Sequence, residues 1–193
     1  MTEKKYNVHI LEGNWHIGWA LDLHTIEAVG TGAFQRTYLG ELLYQIKYRG
    51  NLELIDDITH IAVQFLRTRY VLPWLKAIIP IPPSQPRPVQ PVIEIANRLG
   101  KHLNLPVPLD YLLKKKNTEP LKNINDPKQR IKILSDAFRV SDLRFAGKYI
   151  LLFDDIYRSG ETLKAATSVL MSEGRVKKVF VLTITKTLRN REL

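Results

Sequence analysis

Apolar and polar positions along the chain change period several times, and each change marks an element. Tyr6, Val8 and Ile10, then Trp15, Ile17, Trp19, Leu21 and Leu23, alternate at the period of half-buried strands. Glu12-Gly13-Asn14 between them suits a hairpin turn, so the chain is predicted to open with a β-ribbon. Leu39, Leu42, Leu43 and Ile46 then recur at helical spacing, as do Ile58, Ile61, Ala62, Phe65 and Leu66. The second run has a cap around Asp56 and stops before Pro73. From there the pattern is apolar strand (Ala77 to Ile81), helix (Val92 to Leu103), apolar strand (Tyr149 to Phe153), helix (Thr162 to Met171) and apolar strand (Val179 to Ile184). Alternating buried strands and helices predict an α/β domain around a mainly parallel sheet flanked by helices, with ligands beyond the carboxyl ends of the strands. The expected division is an N-terminal ribbon over 1–35 and the α/β domain over 36–193, in one compact unit.

Composition narrows the function classes. The 193 residues are 45% hydrophobic and 25% charged, which is globular composition. No apolar run reaches the roughly 18 residues of a membrane span, and the start leads into no signal-peptide stretch, so a cytoplasmic protein without membrane attachment is expected. There is no cysteine, which removes disulfides, thiolate zinc sites and a cysteine nucleophile. The five histidines show no metal-ligand spacing. The net charge of +10 is concentrated in two stretches, Lys114 to Lys132 and Arg175 to Leu193. Each suits a polyanion, either a small phosphorylated molecule or a nucleic acid; a frayed tail accounts more simply for Arg175 to Leu193, whereas the flanks of Lys114 to Lys132 favour the phosphate reading over a solvated loop.

The richest segment is Tyr149-Ile-Leu-Leu-Phe-Asp154-Asp155-Ile-Tyr157-Arg158-Ser159-Gly160-Glu161-Thr162. An apolar strand delivers two adjacent carboxylates to its tip, and a small-residue turn then enters a helix. Gly160 permits a tight turn, and Ser159, Thr162 and the helix N-terminal amides can surround a phosphate. The aspartates suit a hydroxyl-rich sugar and Mg²⁺, which takes one or two carboxylates plus substrate oxygens. A nucleotide-binding P-loop is excluded, because Gly100-Lys101 and Gly147-Lys148 lack the glycine five positions earlier. A buried strand meeting a capped helix would account for Thr162 but not for two adjacent acids.

The segment resembles the phosphoribosyl-diphosphate (PRPP) signature of type I phosphoribosyltransferases. Gln45-Ile-Lys47-Tyr48-Arg49-Gly50, Ile79-Pro80-Ile81-Pro82-Pro83-Ser84, Arg130 to Val140 with Ala137-Phe138, and Val181-Leu-Thr-Ile-Thr-Lys186-Thr look like the ComF-like branch of that family, known from bacterial DNA uptake. One departure is plain: many members carry an N-terminal cysteine-rich zinc element, which this chain lacks.

The resemblance implies a Mg²⁺-dependent glycosyltransferase that displaces pyrophosphate from PRPP by a nitrogen acceptor of unidentified structure. Asp154 and Asp155 would hold the ribose hydroxyls, directly or through Mg²⁺, and Tyr157, Arg158, Ser159, Gly160, Glu161 and Thr162 would cradle the 5-phosphate. Ser84 and Arg87 would meet pyrophosphate; the prolines around them also make a rigid connector between strand and helix. Lys114, Lys115, Lys116 and Arg130 would belong to a lid. Trp15, Trp19 and His24 fall in the ribbon, which stands where the wider superfamily has its base-selecting hood; tryptophans alternating along a strand are also ordinary core. A homodimer follows by family analogy. Two other readings fit the same residues. One is a PRPP-binding regulator without transfer activity. The other is a competence-type accessory that contacts single-stranded DNA through basic residues such as Arg189 and Arg191.

Overall fold

The computed structural model describes residues 6–28, 32–83, 89–115 and 137–188. The elements in chain order are β1 (His9–Ile10), β2 (Ile17–Leu23), β3 (Thr25–Glu27), β4 (Phe34–Arg36), α1 (Tyr38–Tyr44), a π-helical turn (Gln45–Arg49), α2 (Leu54–Arg67), a 3₁₀ turn (Leu72–Trp74) and β5 (Leu75–Pro80). They continue with α3 (Pro91–Leu103), β6 (Leu112–Lys114), β7 (Phe138–Val140), β8 (Tyr149–Tyr157), α4 (Glu161–Ser172) and β9 (Lys178–Lys186).

The fold is mixed α/β, with a central sheet in the order β1-β2-β9-β8-β5. Its β2–β9, β9–β8 and β8–β5 pairings are all parallel, and only β1 runs antiparallel to its neighbour. Strand alternation sends neighbouring side chains to opposite faces. Leu151, Phe153, Phe180, Leu182, Trp19 and Leu21 join the core under α1, α2 and α3. Ile150, Leu152, Val179, Val181, Ala20 and Ile79 join the core under α4 and the β6–β7 ribbon. The near-continuous apolar runs of β8 and β9 are what burial on both faces requires.

Two features of the opening segment differ from the sequence expectation. The ribbon is real as a β1–β2 pair, yet β2 also pairs in parallel with β9 from Ile17↔Phe180 to Leu23↔Lys186, so it is an inner strand of the sheet. That long-range pairing leaves no local trace in the sequence. Trp15 and Trp19 are only 8% and 5% exposed and serve as core. Trp15 donates Nε1–H to the Leu11 carbonyl, and Trp19 stacks on Phe180. A second hairpin, β3–β4, follows immediately and was not legible in the periodicity.

Helix α1 is held against the carboxyl end of β2. The Thr37 side chain caps the helix by accepting from Gly40 N–H and donates its own hydroxyl to the Leu23 carbonyl. Gly40 is obligatory there, because a Cβ would stand 2.0 Å from the His24 carbonyl oxygen. Gly40→Ala should therefore cost about 2 kcal/mol through forced backbone displacement. Urea denaturation reads this directly; an unchanged midpoint would show that the β2–α1 junction yields without strain.

Candidate active site

The carboxyl ends of β2, β8 and β9 converge on the residues singled out in the sequence. β8 does not stop at Phe153, as the apolar run suggested, but continues through the acids to Tyr157. Its ladder with β9 runs on through Asp154↔Thr183, Ile156↔Thr185 and Tyr157↔Lys186. On the other side β5 leaves at Pro80↔Phe153, where Ile81 N–H donates to the Phe153 carbonyl. The acids are thus inside a strand with one flank uncovered. The Asp155 N–H, which has lost its β5 neighbour, donates instead to Asp154 Oδ1 at 2.9 Å.

Since they are consecutive strand residues, the two carboxyls leave on opposite faces. Asp155 continues the row of Leu151 and Phe153 toward the α1 side, where Lys47 Nζ lies 2.5 Å from its Oδ2. Their side chains are 10% and 17% exposed respectively, so this is an ion pair largely withdrawn from water. Asp154 continues the row of Ile150 and Leu152 and has no ion pair among the described residues. Burial, followed by the like charge of Asp155, pushes its pKa up to about 8, against smaller lowering effects of the Asp155 N–H and Lys47. The two acids therefore sit in unlike surroundings: Asp155 is matched by an ammonium, while Asp154 holds its proton to higher pH than an ordinary carboxylate.

After Tyr157 the chain turns through Arg158, Ser159 and Gly160 into α4. Gly160 takes φ +76°, and a Cβ there would fall 2.6 Å from the Tyr157 ring. The turn is pressed down onto that ring. The Tyr157 side chain is buried, lies edge-on to Trp15, and donates its hydroxyl to the Glu12 carbonyl, so it supports the turn from beneath. Arg158, Ser159 and Thr162 are exposed and Glu161 is partly exposed, while the Ser159 hydroxyl accepts from Glu161 N–H at 3.4 Å. The first-turn amides of α4 lack helical partners and, with the dipole, offer an anion a place.

His24, at the end of β2, meets Thr185 Oγ1 at 3.2 Å through Nδ1. Its pKa is lowered, first by burial and then by Lys47, Arg36 and Arg158, with Asp155 opposing. The imidazole thus feels three cations and one carboxylate. Arg36 is engaged by Glu41 at 3.2 Å and lies over the Tyr44 ring at 3.6 Å.

The structure therefore brings together Asp154, Asp155 and residues 158–162. Lys114 is exposed at the end of β6, paired with Phe138. Lys115 follows it, its N–H donating to the Ala137 carbonyl. Ser84, Arg87, Lys116, Arg130, Arg189 and Arg191 lie outside the described residues. Lys47, Arg36 and Thr185 were not anticipated as site residues. The one sequence signal for Lys47 was its place in Lys47-Tyr48-Arg49-Gly50 after a helix, where the structure has a π-helical turn, an element frequent at functional sites.

No group of three or more His, Cys, Asp or Glu among the described residues could hold a metal alone. One or two carboxylates beside an open flank suit Mg²⁺ only in company with substrate oxygens.

No family model matches the chain, and no curated protein matches it. Solved structures with a similar arrangement include adenine phosphoribosyltransferase from Trypanosoma brucei, in complex with AMP, pyrophosphate and ribose-5-phosphate. It is 11% identical, with 76% of this chain and 71% of that chain covered and a TM-score of 0.49. The enzyme of the same name from Leishmania tarentolae is 11% identical over 78% of this chain and 87% of that chain, also at 0.49. Glutamine PRPP amidotransferase from B. subtilis is 15% identical over 68% of this chain, which corresponds to 26% of that chain, at 0.48. These likenesses transfer no residue role, and the chemistry below rests on this chain's own site.

Two outcomes follow. The unfolded Asp154 ionises near pH 4 while the folded one holds its proton to about pH 8. Raising the pH through that window therefore destabilises the ligand-free fold, and the loss levels off above it. Asp154→Asn cannot titrate, so its stability relative to the parent should climb between pH 5 and pH 8 in urea denaturation; a constant difference would contradict the protonated assignment. Lys47→Met strands Asp155 without its partner and should cost about 3 kcal/mol. Lys47→Met/Asp155→Asn should recover much of that loss.

Proposed function

We propose that this chain binds PRPP with Mg²⁺ and transfers its 5-phosphoribosyl group to a nitrogen acceptor, releasing pyrophosphate. The supporting observation is the placement of two adjacent acids and a glycine turn, opening into a helix N-terminus, at the carboxyl edge of a parallel sheet. An anion at residues 158–162 and a diol at Asp154 and Asp155 would be neighbours along one strand.

The roles divide by charge. The amides of Gly160, Glu161 and Thr162, the hydroxyls of Ser159 and Thr162, and Arg158 would hold the 5-phosphate. Protonated Asp154 can donate one hydrogen bond and accept others, which suits a vicinal diol of ribose hydroxyls. The Asp155 carboxylate would favour positive charge as it develops on the ring. As the C1–O bond breaks, pyrophosphate leaves with the electron pair while the acceptor nitrogen supplies its lone pair to C1; a proton on that nitrogen then passes to water. Such a displacement needs placement and electrostatic support more than covalent help, so the lack of a cysteine costs nothing. The Asp155 carboxylate, and Asp154 once it has given up its proton, would hold Mg²⁺, which when bound would neutralise pyrophosphate oxygens. With Asp154 protonated and Asp155 matched by Lys47, the ligand-free site attracts a bare cation weakly, and the metal would arrive with PRPP.

Ser84 and Arg87 as pyrophosphate contacts, Lys114 and Arg130 as lid residues, the β3–β4 hairpin with His24 as the acceptor side, and a homodimer complete the proposal.

Pyrophosphate release in the presence of PRPP, Mg²⁺ and a panel of purines, pyrimidines and amines tests it. At least one acceptor should give release, and Asp155→Asn should bind PRPP at least about tenfold more weakly, a difference of about 1.4 kcal/mol. Equal affinity of parent and Asp155→Asn would overturn the role of the acids; PRPP bound intact with every acceptor would favour a sensor over an enzyme.

A further inference from the structure

The Lys47–Asp155 pair is an arrangement that transfer chemistry does not by itself require. It joins the π-helical turn after α1 to the exposed flank of β8 and is mostly out of water. Withdrawing two charges from solvent rarely repays its own desolvation, so a pair of this kind is weakly explained as a device for stability. Its position is better explained by what lies beside it. Arg36 and Arg158 act with Lys47 on His24, and Asp155 is the carboxylate opposing them. Arg36 is matched by Glu41. Arg158, exposed in the turn before α4, has no ion pair among the described residues. When the site is empty, Asp155 thus spends one carboxylate oxygen on Lys47 in a neighbourhood already rich in positive charge.

We infer that Lys47 is an exchangeable counter-ion: it covers Asp155 in the ligand-free protein and moves to anionic phosphate oxygens when the pyrophosphate-bearing substrate binds, releasing Asp155 to the ribose. This rests on the PRPP reading above and adds a substrate-contacting residue and an order of events to it. The chemistry of lysine fits the exchange. Its ammonium is a compact charge with three rotatable donors on a flexible four-carbon stem, able to swing between acceptors without rebuilding a planar fork. A pyrophosphate group offers several anionic oxygens against the single carboxylate that Lys47 holds, so the exchange gains charge-assisted hydrogen bonds. Asp155, relieved of the ammonium, gains a second oxygen for the sugar hydroxyls. Binding of the leaving group and exposure of the ribose-holding acid become one event, which ties recognition of the two ends of the substrate together.

Isothermal titration of PRPP with Mg²⁺ into four proteins tests this: the parent, Lys47→Met, Asp155→Asn and Lys47→Met/Asp155→Asn. The double variant has no stranded charge, so the comparison survives even where Lys47→Met alone fails to fold. If Lys47 contacts the substrate, adding Lys47→Met to Asp155→Asn should weaken PRPP binding at least about tenfold further, and should also weaken binding of inorganic pyrophosphate alone. If Lys47 merely partners Asp155, adding Lys47→Met to Asp155→Asn should change either affinity less than about twofold, and the exchange is overturned while the PRPP reading stands. A parent that binds no PRPP overturns both.

Discussion

Two carboxylates at consecutive positions of one strand cannot share a face, and the candidate site is organised around that constraint. β8 sends Asp155 toward the helices that follow the first hairpins and Asp154 toward α4. The first meets the ammonium of Lys47; the second has no ion pair among the described residues and a like charge beside it. What reads in one dimension as a symmetric pair is in three dimensions an acid matched by an ammonium and an acid that holds its proton to higher pH, with the Asp155 N–H donating to Asp154 Oδ1 at 2.9 Å. Their difference comes from the sheet, since β5 has left the ladder at that point and α1 brings its cation to only one side.

The same edge explains why the neighbouring turn is built from small residues. Gly160 is pinned between a left-handed backbone and the Tyr157 ring, and Tyr157 in turn rests on Trp15 from the opening segment. The N-terminal residues therefore carry the floor beneath the anion-binding turn. β2 lies inside the sheet for the same structural purpose: its carboxyl end supplies His24 and anchors Thr37, which starts α1 and so aims the π-helical turn bearing Lys47. A chain of contacts more than one hundred residues apart in sequence thus converges on a few ångströms of one strand edge.

Much of this was legible beforehand, because some signals are local. The apolar run from Tyr149, the helix from about residue 161 and the glycine between them follow from periodicity and backbone preference alone. The parallel sheet followed from strands that are apolar on both faces. Other features depend on partners remote in sequence and left no local mark. β8 runs on to Tyr157 only because β9 continues beside it, and β2 is central only because of that same strand. Tyr157 looked like a loop residue and is core; the tryptophans looked ambiguous and are core. Lys47 carried no hint of its carboxylate, 108 positions away.

The charge asymmetry is therefore the claim on which the rest stands. Carboxyl ¹³C chemical shifts of the ligand-free protein, followed from pH 3 to pH 10 and assigned through Asp154→Asn, test it directly. The Asp154 carboxyl should titrate far above the ordinary carboxylate range, near pH 8. A midpoint near pH 4 would mean that water and cations reach it freely, and the division of labour described here would fail.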